Sequence, residues 1–167
     1  MALDTESFDI LLATVQRFIR ERLVPAENHL EEHDEVPPEL VEAMKEMGLF
    51  GLTVPEEYGG IGLSVAQEVQ VNFELGQTAT AFRSVFGTNI GIGSQGILMD
   101  GTPEQKAEYL PRVASGELVM SFALTEPDAG SDAASLKTRA EADGDHYVLN
   151  GTKRFITNAP RAGAFTL

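Results

Sequence analysis

The residues best placed for chemistry lie in one stretch, residues 121–132. A strand-like run ends at Thr125, Pro127 fixes a turn, and Gly130 and Ser131 follow with small side chains. Such a turn lets a ligand approach the backbone closely. It exposes amide donors and two hydroxyls, which suits a planar heterocycle carrying nitrogen and oxygen acceptors. From these residues alone, an ordinary strand and turn fits equally well.

Two carboxylates flank this turn, Glu126 and Asp132. A catalytic acid and base would need a neighbour that raises one pKa, and the sequence shows none. We therefore expect them to cap the turn or to pair with a lysine or arginine. A second segment, residues 153–158, places an aromatic ring and a hydroxyl on one side of a β-prone stretch. An aromatic beside a sheet usually belongs to the core.

Residues 91–96 match the glycine pattern of dinucleotide-binding loops, Gly-x-Gly-x-x-Gly. That loop functions only between a strand and a crossover helix, and here helical signals precede it. We interpret the glycines as small residues that let two helices approach closely.

The segment His29–His33 has two imidazoles one helical turn apart with a carboxylate between them, as in an inverted zinc-protease motif. Five-letter patterns of this kind occur by accident in many soluble chains. Because acidic residues surround it, we interpret the segment as the solvated end of a helix.

Up to about residue 116 the signals are helical, since apolar residues recur every three or four positions. Pro25 is expected to end the first helix, and Pro111 to end or kink a late one. Ser64 with Gln67 predicts a capping box, and Thr102 with Gln105 repeats it. One apolar stripe comprises Phe8, Leu11, Leu12, Val15, Phe18, Ile19 and Leu23.

After Gly116 the pattern becomes strand-like, over residues 118–125, 135–142, 147–149 and 154–157, with another strand starting at Phe165. Asp143-Gly144 and Asn150-Gly151 are typical of tight hairpin turns. The pattern predicts an antiparallel sheet. The fold class is α+β: an all-helical domain over residues 1–116, then a truncated antiparallel β domain over 117–167.

Composition excludes several classes of function. A formal charge of −14 repels nucleic acid and anionic lipid. No apolar run approaches the roughly 20 residues of a membrane span, and without cysteine there is no disulfide or thiolate chemistry. The acidic N-terminal sequence resembles neither a secretory signal nor a transit peptide, so a cytoplasmic location is expected.

Four segments together resemble the acyl-CoA dehydrogenase family. They are Val54–Gly60, the Gly101–Glu117 run with Tyr109-Leu110-Pro111, the Phe122–Asp132 signature, and Asn150-Gly151 leading to Phe155–Asn158. This family has a helical domain, a middle β domain and a C-terminal helical bundle. The resemblance implies that the chain holds the first whole and part of the second, and lacks the bundle.

The resemblance also implies a cofactor, FAD, held between the β domain and the bundle. Ser131 would additionally contact the acyl-CoA, and Phe155 stands where many relatives have Trp, which keeps an aromatic face. The residues implied to line the flavin are Phe122, Leu124, Thr125, Gly130, Ser131, Phe155, Ile156 and Thr157.

The activity implied is α,β-desaturation of an acyl-CoA thioester in fatty acid metabolism, with the α-proton taken by a carboxylate base and the β-hydride by FAD. In relatives the base lies in the C-terminal domain, so no catalytic residue is assigned here and the fragment alone is expected to be inactive. Implied partners are an electron-transferring flavoprotein and further copies of the subunit. An acyl-CoA oxidase fragment and a non-catalytic helical binding module are the alternatives.

Overall fold

The computed structural model describes residues 3–167; Met1 and Ala2, which the predicted N-terminal domain includes, lie outside the described residues. Helices dominate up to residue 114, and short strands follow. The helices are α1 (Thr5–Phe18), α2 (Glu27–His33), α3 (Pro38–Glu46), α4 (Val65–Leu75), α5 (Thr80–Gly87), α6 (Gln95–Asp100) and α7 (Pro103–Ala114). The strands are β1 (Met120–Phe122), β2 (Arg139–Asp143), β3 (His146–Asn150) and β4 (Ala164–Thr166).

The first helix does not stop at Pro25, contrary to prediction. Asp4 caps α1, and a π-helical turn over Ile19–Leu23 and a 3₁₀ turn over Val24–Ala26 then lead directly into α2. Pro25 sits in the first turn of the 3₁₀ segment, where its missing N–H costs no hydrogen bond. The predicted stripe is correct at its buried positions, which are Phe8, Val15, Phe18, Ile19 and Leu23.

Both predicted capping boxes are confirmed, at the starts of α4 and α7. In each, the cap hydroxyl accepts from the backbone of the glutamine three residues on, and that side chain accepts in return. Pro111 does not end α7, which continues to Ala114. Its neighbours Leu110 and Val113 are fully buried, and that burial outweighs one lost hydrogen bond.

The β region confirms the α+β class and corrects its details. The strands β2 and β3 form an antiparallel hairpin through a turn in which Gly144 has φ 66°, but β1 and β4 pair in parallel. Only residues 120–122 of the expected strand over 118–125 are extended and paired, and 154–157 form a bend and turn instead of a strand.

Gly151 is not a hairpin-turn glycine, because it lies outside the positive-φ residues. It allows a close approach instead, since a Cβ there would lie 2.2 Å from the Thr138 hydroxyl.

The core lies among the helices. Large side chains with no more than 1% exposure come from helices α1, α3, α4 and α5, from the π-helical turn after α1, and from the segments that follow α3 and α5. They include Leu23, Met44, Leu49, Phe50, Leu52, Leu75, Phe82, Phe86 and Ile90. A second cluster packs α7 against β1. Every residue of β2 and β3 is exposed, so the hairpin adds nothing to this core.

Gly93 explains the glycine pattern after α5. A Cβ at Gly93 would lie 2.6 Å from the Thr88 carbonyl oxygen and 2.7 Å from Cβ of Met120. Close approach was therefore the right interpretation at this position, although the neighbour is β1 and not a second helix. At Gly91 and Gly96 the same atom would have ordinary van der Waals spacing.

The segment His29–His33 is the exposed end of α2, as expected. Its two imidazole rings stack with centroids 4.2 Å apart, and Nδ1 of His33 lies 3.0 Å from the His29 carbonyl oxygen. Within residues 3–167, no three His, Cys, Asp or Glu side chains are grouped to hold a metal ion.

Candidate cofactor-binding site

The stretch predicted for chemistry begins on β1 and continues into a closed turn. After Phe122 the backbone leaves the strand, and Glu126 and Ala129 then bond to each other's backbone in both directions, at 2.9 and 3.3 Å. Pro127 lies inside this closed turn. Gly130 and Ser131 follow on its exposed side, and a Cβ on Gly130 would have no atom within 4 Å.

The carboxylate of Glu126 holds the turn in place through hydrogen bonds and an ion pair. Its carboxylate accepts from the Thr138 hydroxyl and from the backbone N–H groups of Lys137 (2.7 Å) and Thr138 (2.9 Å), and it pairs with Nζ of Lys153 at 2.9 Å. These hydrogen bonds lower the pKa of Glu126 to about 2. The bond from the Thr138 hydroxyl has the largest effect, and those from the two backbone amides and from the Lys153 ammonium act in the same direction. The carboxyl is a fixed anion and not a general base, as the sequence indicated.

Asp132 neither caps the following turn with its side chain nor forms an ion pair within residues 3–167, which corrects the expectation. Its carboxylate accepts from the hydroxyl of Ser135, whose backbone N–H donates to the Asp132 carbonyl at 3.1 Å. It lies exposed before the 3₁₀ turn Ala133–Ser135.

The second predicted segment lies directly against the first. Nζ of Lys153 donates to the Leu124 carbonyl (2.9 Å), and the N–H of Arg154 donates to the Thr125 carbonyl (2.8 Å). The Ser121 hydroxyl donates to the carbonyl of Thr157 at 2.6 Å. Three bonds thus hold the two segments side by side, although about 30 residues separate them in the chain.

Phe155 is neither in a strand nor in the core, which corrects the expectation from its sequence. Its φ is 57°, in the left-handed region that few bulky residues adopt, and its side chain is 80% exposed. The Arg154 guanidinium lies 4.6 Å from the ring centroid. The backbone bend therefore presents an aromatic face to solvent.

Ile156 and Thr157 face different hollows. Ile156 lines an apolar groove of about 540 Å³ with Leu149 and Phe165. Thr157 closes a cleft of about 240 Å³ against α5 and the turn that follows it. Neither hollow includes Gly130 or Ser131 in its lining.

The first segment retains unused donors. Within residues 3–167, the backbone N–H groups of Leu124, Thr125 and Ser131 donate to no protein acceptor, and the hydroxyls of Thr125 and Ser131 make no hydrogen bond. Unpaired amides and hydroxyls near an exposed aromatic ring suit a flat ligand rich in nitrogen and oxygen acceptors.

Two asparagines support the site and were not predicted as functional. Asn158, with φ 62°, donates from its amide to the Ser84 carbonyl (2.8 Å) and the Thr88 hydroxyl (2.9 Å), which ties the Phe155 bend to α5. Asn89 is fully buried and bonds both to the end of α7 and to β1. An asparagine directly after a bend is a weak signal for a left-handed residue.

The described residues define a class of protein: a helical unit joined by the amide side chains of Asn89 and Asn158 to a small strand region that carries unpaired donors and an exposed aromatic ring. No helix in residues 3–167 has the length and apolar character to cross a membrane.

Comparison with known proteins identifies the family. The model of the acyl-CoA dehydrogenase N-terminal domain matches residues 5–117, and that of the acyl-CoA dehydrogenase middle domain matches residues 121–167. The chain therefore belongs to the acyl-CoA dehydrogenase family, which confirms the resemblance.

Individual proteins are similar to this chain over nearly its whole length. The (2S)-methylsuccinyl-CoA dehydrogenase of Cereibacter sphaeroides is 45% identical over 97% of this chain and 30% of its own length. An acyl-CoA dehydrogenase of Bacillus anthracis solved with FAD is 38% identical, with a TM-score of 0.87 over 98% of this chain and 28% of its own. A chain described as the electron transferring flavoprotein of Acidaminococcus fermentans is 36% identical, with a TM-score of 0.87 over 97% of this chain and 43% of its own.

Proposed function

We propose that this chain is the first part of a FAD-dependent acyl-CoA dehydrogenase that desaturates the α,β bond of an acyl-CoA thioester. The observation that supports this most is the pairing of two segments by Ser121, Lys153 and Arg154, which brings the free N–H groups of residues 124 and 125 next to the bend that carries Phe155. The chain spans 28–43% of the relatives described above, so the activity is a proposal for the whole protein.

FAD fits the residues present because its ring system is planar and carries acceptors that match the unpaired donors. When bound, FAD supplies the two-electron acceptor for desaturation. In this proposal Phe155 offers its face to the ring, Thr125 and Ser131 donate hydrogen bonds, and Ser131 also contacts the acyl-CoA. The proposed flavin-lining set is Phe122, Leu124, Thr125, Gly130, Ser131, Phe155, Ile156 and Thr157.

This chain's residues bind and orient; none is proposed as the catalytic base. Glu126 lies in the turn itself, and its pKa of about 2 leaves it no affinity for a substrate proton near neutral pH. The division into a helical domain over residues 1–116 and a β domain over 117–167 is part of the same proposal.

Electron transfer to a separate flavoprotein is proposed as the route by which reduced FAD is reoxidised. The similarity to a solved chain described as an electron transferring flavoprotein supports this partner. The relatives' names favour a dehydrogenase over an oxidase. Homo-oligomer formation and the cytoplasmic location stay predictions.

The test is retention of FAD through gel filtration, read as flavin absorbance in the protein peak. Phe155→Ala should reduce the retained flavin several-fold because it removes the stacking face. Tyr147→Ala is the matched control, since Tyr147 is similarly exposed (71%) but lies on β3. Equal retention in both variants would remove Phe155 from the site, and no retention in the unaltered protein would count against FAD binding.

A further inference from the structure

The cleft beside Thr157 contains a guanidinium group. Arg83 on α5 lines it together with Gly87, Thr88 and Ile92, and Thr157 closes it from the β region. Its volume is about 240 Å³. One wall thus belongs to the proposed flavin-lining set, and another carries a positive charge.

Arg83 is held in place by a neutral partner. Its Nε donates to the amide oxygen of Asn72 on α4 at 3.1 Å. Its Nη1 lies over Gly87, where a Cβ would come within 2.7 Å of it. The missing side chain at Gly87 is therefore the space that the guanidinium occupies.

The guanidinium has no anionic partner in the described part of the chain. None of the ion pairs within residues 3–167 includes Arg83, although the protein carries 26 acidic residues and only 12 basic ones. A half-buried arginine in such an acidic chain normally finds a carboxylate, because an uncompensated charge is costly to desolvate. Its planar fork of donors matches a carboxylate in a bidentate geometry.

Thr88 adds a second donor. Its hydroxyl oxygen accepts from the Asn158 amide at 2.9 Å, which leaves its own hydrogen free to donate. Ile92 is 56% exposed and gives the cleft an apolar side. The cleft therefore combines an apolar wall for methylene groups with cationic and hydroxyl donors.

We propose that Arg83 binds a carboxylate at the far end of the acyl group, so that the substrate is the CoA thioester of a short dicarboxylic acid. This inference rests on the proposed function, because it takes the cleft beside Thr157 as the place of the acyl chain. Arg83 acts as a specificity-determining residue, and Asn72 positions it.

The experiment is isothermal titration of the protein with glutaryl-CoA, valeryl-CoA and CoA alone. The two acyl groups have equal length and differ in a terminal carboxylate against a methyl group. Glutaryl-CoA should bind about 10- to 100-fold more tightly than valeryl-CoA, as expected for charge-assisted hydrogen bonds. Arg83→Gln should abolish that preference and leave the affinity for valeryl-CoA within about threefold.

Two further variants separate binding from folding. Asn72→Asp keeps the shape of the side chain and every cleft residue but gives Arg83 an internal carboxylate, so the preference should fall about tenfold. Arg17→Gln removes an equal charge from an exposed site on α1 and should leave the preference unchanged. Thermal melting of each variant shows whether it folds.

The outcomes distinguish two failures. Equal binding of the two thioesters, or a preference that survives Arg83→Gln, overturns the carboxylate site while leaving an acyl-CoA-binding protein. Binding of neither thioester more tightly than CoA overturns the acyl site itself and with it the proposed function.

Discussion

The helical region and the strand region are held together by different forces. Up to β1 the chain buries large apolar side chains such as Phe50 and Phe82 completely. From residue 130 to the last strand no residue is buried, and Tyr147, Leu149 and Phe165 are at least half exposed. The strand region is instead tied down by polar bonds from Glu126, Lys153 and Asn158.

This contrast shows where rigidity and binding capacity reside. Apolar burial is non-directional and accumulates with area, so the helical region provides a stable platform. Polar ties act at single points and fix the exact position of a turn, while leaving neighbouring donors and rings free for a ligand. Substitutions in each region test this division.

The largest effect is expected in the helical core. Phe82→Ala should lower the free energy of unfolding by about 3–5 kcal/mol, because it leaves a cavity at a fully buried position. Phe73→Ala, at a side chain that is 75% exposed on α4, should change it by less than about 0.5 kcal/mol. Denaturant unfolding followed by far-ultraviolet circular dichroism measures both; similar losses would contradict the assigned core.

A smaller loss is expected at the junction of the two regions. Asn89→Ala removes bonds to the carbonyls of Val113 and Leu118 and from the N–H of Met120, which are 2.8–3.0 Å long. Unpaired buried groups should lower the free energy of unfolding by about 2–3 kcal/mol. Asn28→Ala, at an exposed position on α2, is the control in the same unfolding measurement.

The Glu126 anchor should make the strand region sensitive to acid. Its pKa of about 2 lies below the ordinary 4.5, so its stabilisation is complete above pH 4.5 and is lost as pH falls toward 2. The amide signals of Lys137 and Thr138 in nuclear magnetic resonance spectra should shift over that range. In Glu126→Gln this transition should vanish; its persistence would mean that another group titrates there.

The smallest effect is expected on the hairpin. Tyr147→Ser replaces a ring that is 71% exposed on β3, so the free energy of unfolding should change by less than about 0.5 kcal/mol. Denaturant unfolding checks this. A loss near that of Phe82→Ala would mean that the hairpin packs against something the described residues do not show.

Local rules predicted the helical region well. Capping boxes at Ser64 and Thr102, and the apolar stripe of α1, depend on residues within one or two turns, so the sequence displays them directly. Pro25 was misjudged because its position within the 3₁₀ turn decided the outcome, and of the two predictions for Pro111 only the end of the helix is excluded, since its neighbours Leu110 and Val113 are buried.

The site was harder to predict because its geometry is long-range. The partners of Asn89 lie 24 to 31 residues away, and those of Asn158 lie 70 or more residues away. The left-handed backbone at Phe155 contradicts its local β preference. The family motif predicted which segments form the candidate site, but only tertiary contacts define how they meet.

The π-helical turn Ile19–Leu23 determines how α2 is rotated about the helix axis relative to α1. One extra residue in a turn rotates everything after it by about 100° around the axis and advances it by about 1.5 Å. In this orientation of α2 the carboxylate of Glu27 accepts hydrogen bonds from the Thr78 hydroxyl (2.7 Å) and the Ala79 N–H (2.9 Å). Deleting one residue from this turn would rotate α2 back by about the same angle and move Glu27 away from the start of α5, the helix that carries Arg83.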